Sequence, residues 1–198
     1  MESPKTADLT LLLAGDVMTG RGIDQVLPHS SEPRLHETYA SSARQYVRIA
    51  ERENGPIPDR LAFDYVWGDA LKKIESIGPD VRIINLETAV TTSDDWWRGK
   101  RIHYRMHPGN AEILTVASID ICVLANNHIA DWGFDGLRET VRVLQQTGLK
   151  TAGAGNDRNS AKKPAILDHG SGRLLVFSYA TPDAGVPLQW SAGPHRPG

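Results

Sequence analysis

Cysteine is almost absent from this sequence. Cys122 is the single one, so no internal disulfide can form, and its place in the apolar run ICVLA reads as a small core residue in a reduced setting. Long hydrophobic runs are missing too: the run at residues 11–14 is closed by Gly15-Asp16 and is far too short to cross a bilayer. Charge of one sign is not in excess. With 22 Lys+Arg against 24 Asp+Glu the net charge is -2, which removes the global basic field that nucleic acid or an anionic membrane surface would need. The first ten residues, MESPKTADLT, lack a basic stretch leading into an apolar core, so the expected location is cytoplasmic. No tandem repeat or low-complexity tract occurs.

What is present is an ordinary globular composition, 40% hydrophobic and 23% charged over 198 residues, enough for one buried core and one domain spanning 1–198. Four segments, at 9–14, 81–85, 119–125 and 174–180, are short, rich in β-branched or leucine residues and without polar alternation. They predict largely parallel strands buried on both faces. Helical patterns lie between them at 66–77, stopped by Gly78-Pro79, at 111–117, and at 136–146, ending at Gly148. Alternation of this kind predicts an α/β domain with right-handed crossovers and ligands gathered beyond the carboxyl ends of the strands. Residues 32–58 break the rhythm. Leu35, Tyr39, Tyr46, Val47 and Ala50 can share one helical face there, predicting a helical insertion that covers the site. The polar loop at 91–100, TTSDDWWRGK, holds two adjacent tryptophans that suit either a ligand surface or packing beneath the loop.

Three polar motifs each follow a predicted strand: Gly15-Asp16, Asn85-Leu86-Glu87 and Asn126-Asn127-His128. Any one alone could be a cap or a turn, because Asp, Asn and Glu serve both. Three together point to convergence at a site. Carboxylates of Asp16 and Glu87, the Asn127 amide oxygen and a neighbouring imidazole form a donor set for a divalent cation of the manganese, iron or zinc kind, as one ion or two. A water on such an ion has its pKa lowered toward about 7, and His128 can protonate a leaving group. Asp16 and His128 are therefore the candidate catalytic residues, and Asp16, Glu87 and Asn127 the candidate metal ligands.

The motifs GDVMTGRG at 15–22, INLETAV at 84–90 and LANNHIADWG at 124–133, supported by YRMHP at 104–108 and TAGAGND at 151–157, resemble the CapA-type poly-gamma-glutamate capsule synthesis proteins. These look like distant relatives of the calcineurin-like metallophosphoesterases. The resemblance runs from Leu9 to Ala180. It implies a sandwich of two mainly parallel or mixed β-sheets flanked by helices, and a metal-dependent hydrolase acting on a phosphoester or an amide-linked anionic polymer. It also implies roles: a first-strand Asp that binds metal, a second-strand acid that bridges, then a ligand Asn and a catalytic His. These fall on Asp16, Glu87, Asn127 and His128. Two departures stand out. Met18 occupies the position of a histidine common in metallophosphoesterases, and the sequence reaches GPHRPG without a late His-Trp-Gly-like motif, so the expected domain is unfinished at its C-terminal side. The alternative carried with these departures is a non-catalytic polymer-binding or assembly component.

Lys100, Arg101, His103 and Arg105 form a basic cluster, and Arg21 lies just after Asp16. Guanidinium forks suit carboxylate and phosphate groups, so Arg21, Lys100 and Arg105 are the candidate contacts to an anionic polymer or phosphorylated substrate. The glycine-rich TGRG and TAGAG match no phosphate-loop or dinucleotide spacing and read as tight turns. His29, His36, His103, His107 and His169 share no metal-ligand spacing, and His195 sits among glycine and proline where nothing fixes it.

Overall fold

A computed structural model describes residues 8–170 and 172–198. In chain order the elements are β1 (Leu11–Val17), α1 (Gly22–Val26), α2 (Arg44–Asn54), α3 (Asp69–Ile77), β2 (Val81–Leu86), β3 (Ala89–Val90), β4 (Arg105–Met106), α4 (Glu112–Thr115), β5 (Ile121–Val123), α5 (Gly133–Gln146), β6 (Lys150–Ala152), α6 (Arg158–Ala161), β7 (Ala165–His169) and β8 (Gly172–Val176). Four of the strands form a parallel sheet in the order β1-β2-β5-β6. This is the α/β architecture expected from alternating strand and helix.

Period-two alternation divides the sheet's side chains between two cores. Ile84 and Leu86 of β2 and Cys122 of β5 face the helices, where they meet Ile113, Leu114, Leu137 and Leu144 in the main cluster. Val81 and Ile83 of β2, Ile121 of β5 and Ala152 of β6 face the other way, onto the hairpin of β7 and β8 through Ala165, Leu167, Leu174 and Val176. The second face is therefore covered by a two-stranded hairpin. A two-stranded parallel pair, β3 with β4, extends the structure beyond the strand ends.

Three expectations need correction. The segment 9–14 was expected to be buried on both faces, but β1 lies at the sheet's end and its outward residues are open, Leu13 being 69% exposed. Residues 174–180 do not join the parallel sheet. Their first part belongs to β8, antiparallel to β7, because a short turn at Gly170 (φ 54°) returns the chain directly where a parallel strand needs a long crossover. The insertion at 32–58 is helical only over α2. Residues 32–43 run irregularly, with an antiparallel bridge between Arg34 and Ser42, so Leu35 and Tyr39 lie off the helix.

Helix boundaries follow local chemistry. Gly78 stops α3 in the left-handed region (φ 61°), its N–H bonded to the Ile74 carbonyl, and Pro79 cannot continue the helix. The short α1 rests against α2 so closely that a Cβ on Gly22 would meet the Tyr46 Cβ at 3.0 Å. Buried Asp24 ties α1 to the segment after β4, accepting from the His107 N–H at 2.7 Å and the Asn110 amide at 2.9 Å. Helix α1 is thus seated on the domain by buried polar bonds.

Candidate functional site

The carboxyl ends of β1, β2 and β5 are cross-linked by side-chain amides. Asn126, just after β5, donates to the Asn85 side-chain oxygen at 2.9 Å and to the Leu86 carbonyl at 3.0 Å, and it accepts the His128 N–H at 3.0 Å. Asn85 then donates to Asp16 Oδ1 at 2.8 Å. Each link spans one strand spacing, so three loops are held in register by a ladder of neutral groups. Thr88 adds a fourth tie, its hydroxyl oxygen accepting the Thr19 N–H at 3.0 Å.

On this frame the acidic and basic groups meet. His128 is buried, and its Nδ1 lies 2.6 Å from Asp131 Oδ2 while its Nε2 lies 3.4 Å from Glu87 Oε1. A proton on Nδ1 donates to the fully buried Asp131, which leaves Nε2 as the nitrogen facing Glu87. Tyr104 stacks on the imidazole with ring centres 4.1 Å apart. Asp131 is saturated: Oδ2 also accepts the Tyr104 N–H at 2.7 Å, and Oδ1 pairs with Lys100 Nζ at 2.5 Å. Lys100 donates further to the Asn127 carbonyl. Burial lowers the Lys100 pKa, against the pull of Asp131 that raises it.

Glu87 and Asp16 are neighbouring acids at the ends of β2 and β1. Burial, followed by the interaction with Asp16 and its charge, pushes the Glu87 carboxyl up to about 7. Asp16 moves the other way, held below the usual carboxylate range first by the Asn85 amide and then by Glu87. Neighbouring acids whose pKa values are driven apart can act as an acid and base pair, and a proton or a cation between them would relieve their repulsion, so Asp16 and Glu87 are the residues that could hold a metal. Among the described residues no group of three or more His, Cys, Asp or Glu side chains has metal-holding spacing.

The remaining expected site residues lie as follows. The Asn127 side chain packs by Gly185, where a Cβ would stand 3.5 Å from its Nδ2, while its backbone oxygen takes Lys100. Arg105 is bound to other groups. Its guanidinium is buried over Trp132, 3.8 Å from the ring centre, and bonds Asp94, the Ser93 carbonyl and the Glu32 carbonyl. Arg21 pairs with Glu37 at 2.6 Å between the rings of Tyr46 and Tyr104. The basic cluster therefore disperses: Lys100 turns inward, Arg101 is exposed, and His103 is buried against the Trp97 carbonyl at 2.8 Å. Of the paired tryptophans, Trp96 stacks on His36 of the insertion at 4.2 Å and Trp97 packs on Trp190 at 5.5 Å. Sequence reasoning missed Asp131, for which the spacing His128-x-x-Asp131 was the available signal, and within the motif Asn126-Asn127-His128 it gave the role to Asn127 and not to Asn126.

Fold and site define a class: an α/β protein with a parallel sheet whose strand-end loops assemble a carboxyl pair beside an aspartate-anchored histidine. Residues 10–198 match the model of the bacterial capsule synthesis protein family PGA_cap, and the chain belongs to that family. A probable polyglutamine synthesis accessory protein of Mycobacterium tuberculosis is 45% identical over 191 residues, 96% of this chain and 50% of the relative. The PGA biosynthesis protein CapA of Bacillus subtilis is 26% identical over 156 residues, 78% of this chain and 32% of that protein. The chain thus spans half the length, or less, of these curated relatives. No helix among the described residues is long and apolar enough to cross a membrane.

Proposed function

We propose that this chain carries a metal-dependent hydrolase site for a phosphoester or an amide-linked anionic polymer in poly-gamma-glutamate synthesis. The observation that carries this reading is His128 Nε2 lying 3.4 Å from the Glu87 carboxyl, with Asp16 tied to the same strand end by the Asn85 amide at 2.8 Å. Asp16 and Glu87 would hold the ion, which when bound would polarise a substrate oxygen and acidify a water. The chain's own residues do the rest. Asp131 fixes the His128 tautomer and orientation, Tyr104 shields one face of the ring from water, and His128 Nε2 delivers or removes the proton at the reacting group. Lys100 balances the buried Asp131 charge, so the imidazole is not held by an uncompensated anion.

The test is hydrolysis of an aryl phosphate and of oligo-γ-glutamate by the purified chain, with and without added manganese or zinc. Turnover should appear with metal, disappear in chelator, and fall at least a hundredfold in Asp16→Ala and His128→Gln. Turnover that survives both chelator and Asp16→Ala sinks the reading. A second reading, a polymer-binding or assembly component without turnover, is favoured by one placement: Asn127 turns to Gly185, so only two of the three expected ligands meet. It predicts binding of oligo-γ-glutamate that weakens with salt, in the absence of any product.

A further inference from the structure

A cleft of about 390 Å³ opens between the loop after β1, helices α1 and α2 and the turn at 65–67. Its walls are apolar: Met18, Val47, Ile57 and Val66, with the rings of Tyr46 and Tyr104. The mouth leaves hydrocarbon in water, for Met18 is 45% exposed and Tyr65 53%. The volume falls in the range of small-molecule pockets, roughly 300–1,000 Å³.

Among the described residues the one cation on the wall, Arg21, is already neutralised. Arg21 gives two hydrogen bonds to Glu37 Oε1, at 2.9 and 2.6 Å, and the Glu37 side chain is fully buried. Its guanidinium lies 4.8 Å from the ring centres of both Tyr46 and Tyr104, so what it offers is a flat, stacked face and not a free charge. The backbone of Arg21 sits at φ 52°, ψ −124°, a region glycine favours, which shows that the surroundings dictate where this side chain goes. The cleft also shares a wall with the reactive centre. Tyr104 lines it on one side and stacks on His128 on the other, and Met18 follows Asp16 by two residues.

We infer that this cleft is a substrate subsite for an uncharged, planar or short-alkyl group joined to the bond that the carboxyl pair and His128 act on. Among the described residues a polyanion finds no unpaired cation there. The ligand's place beside a reaction rests on the hydrolase reading above, whereas the binding of a ring does not. The experiment is methyl NMR of the whole chain, following Met18, Ile23, Val47, Ile57 and Val66 during titration with benzyl alcohol and, separately, with tri-γ-glutamate. Benzyl alcohol should shift these methyls saturably. Ala50→Trp, which fills the cleft from α2, and the milder Ala50→Leu should weaken that binding at least tenfold and about threefold. Asp16→Ala should leave it unchanged, so loss of hydrolysis in that variant reports on the reaction alone. Shifts produced by tri-γ-glutamate and not by benzyl alcohol, or benzyl alcohol shifts that survive both Ala50 variants, overturn the inference.

Discussion

The loop after β5 and the carboxyl end of β1 contribute to one site under opposite conditions. After β5, residues 126, 128 and 131 are buried and hydrogen-bonded, whereas at the end of β1 Asp16 is exposed on an edge strand and is held by the Asn85 amide. The difference separates two kinds of dependence. The histidine half is built into the fold and cannot be altered without disturbing stability, while Asp16 can be removed with the frame intact.

The largest effect should come from Asp131→Ala, which leaves His128 and Lys100 buried without their shared anion. Losing one partner of a buried pair costs about 3–5 kcal/mol, so urea unfolding should show a loss of that order; a loss below about 1 kcal/mol would break the contrast. Next comes Asn126→Ala. It strands the Asn85 oxygen and the His128 N–H, and each orphaned group costs about 1–3 kcal/mol. Asp16→Ala should change stability by no more than about 0.5 kcal/mol in the same assay, as an exposed surface residue does.

The pH dependence sharpens the same point. Glu87 titrates near 7 in the folded chain against 4.5 in the unfolded one, so between those values the folded state binds the extra proton. Stability in chelator should therefore fall as pH rises from about 4.5 through 7. Asp16→Asn removes the neighbouring charge and should shrink that slope, and an unchanged slope would show that burial alone sets it. The smallest effect concerns Cys122, whose thiol burial pushes up to about 12. It should resist a disulfide reagent in the native chain and react only on unfolding.

Much of this contrast could be read before the fold was known, for definite reasons. Buried strands such as VRII and ICVL announce themselves by composition, and the polar residue after each is bound to reach the same edge. Asp131 was hidden because it follows the histidine inside a run, HIADWG, that reads equally well as the approach to a helix. The choice between Asn126 and Asn127 turns on one residue of rotation, which a tight turn sets and a pattern cannot. Lys100 looked like an anion contact because its true partner is 31 positions away. β6 left no trace, since KTA has no apolar run, and the exposure of β1 depends on what lies beside the sheet and not on LTLLLA itself.

Leu13 has one more consequence, a practical one for anyone concentrating this chain. It leaves an isobutyl group in water on a strand whose outer backbone edge has no neighbour among the described residues. Hydrocarbon next to an open row of amides is a template for chain-to-chain growth. Light scattering should climb with concentration, and a lysine introduced by Leu13→Lys should keep the preparation monodisperse.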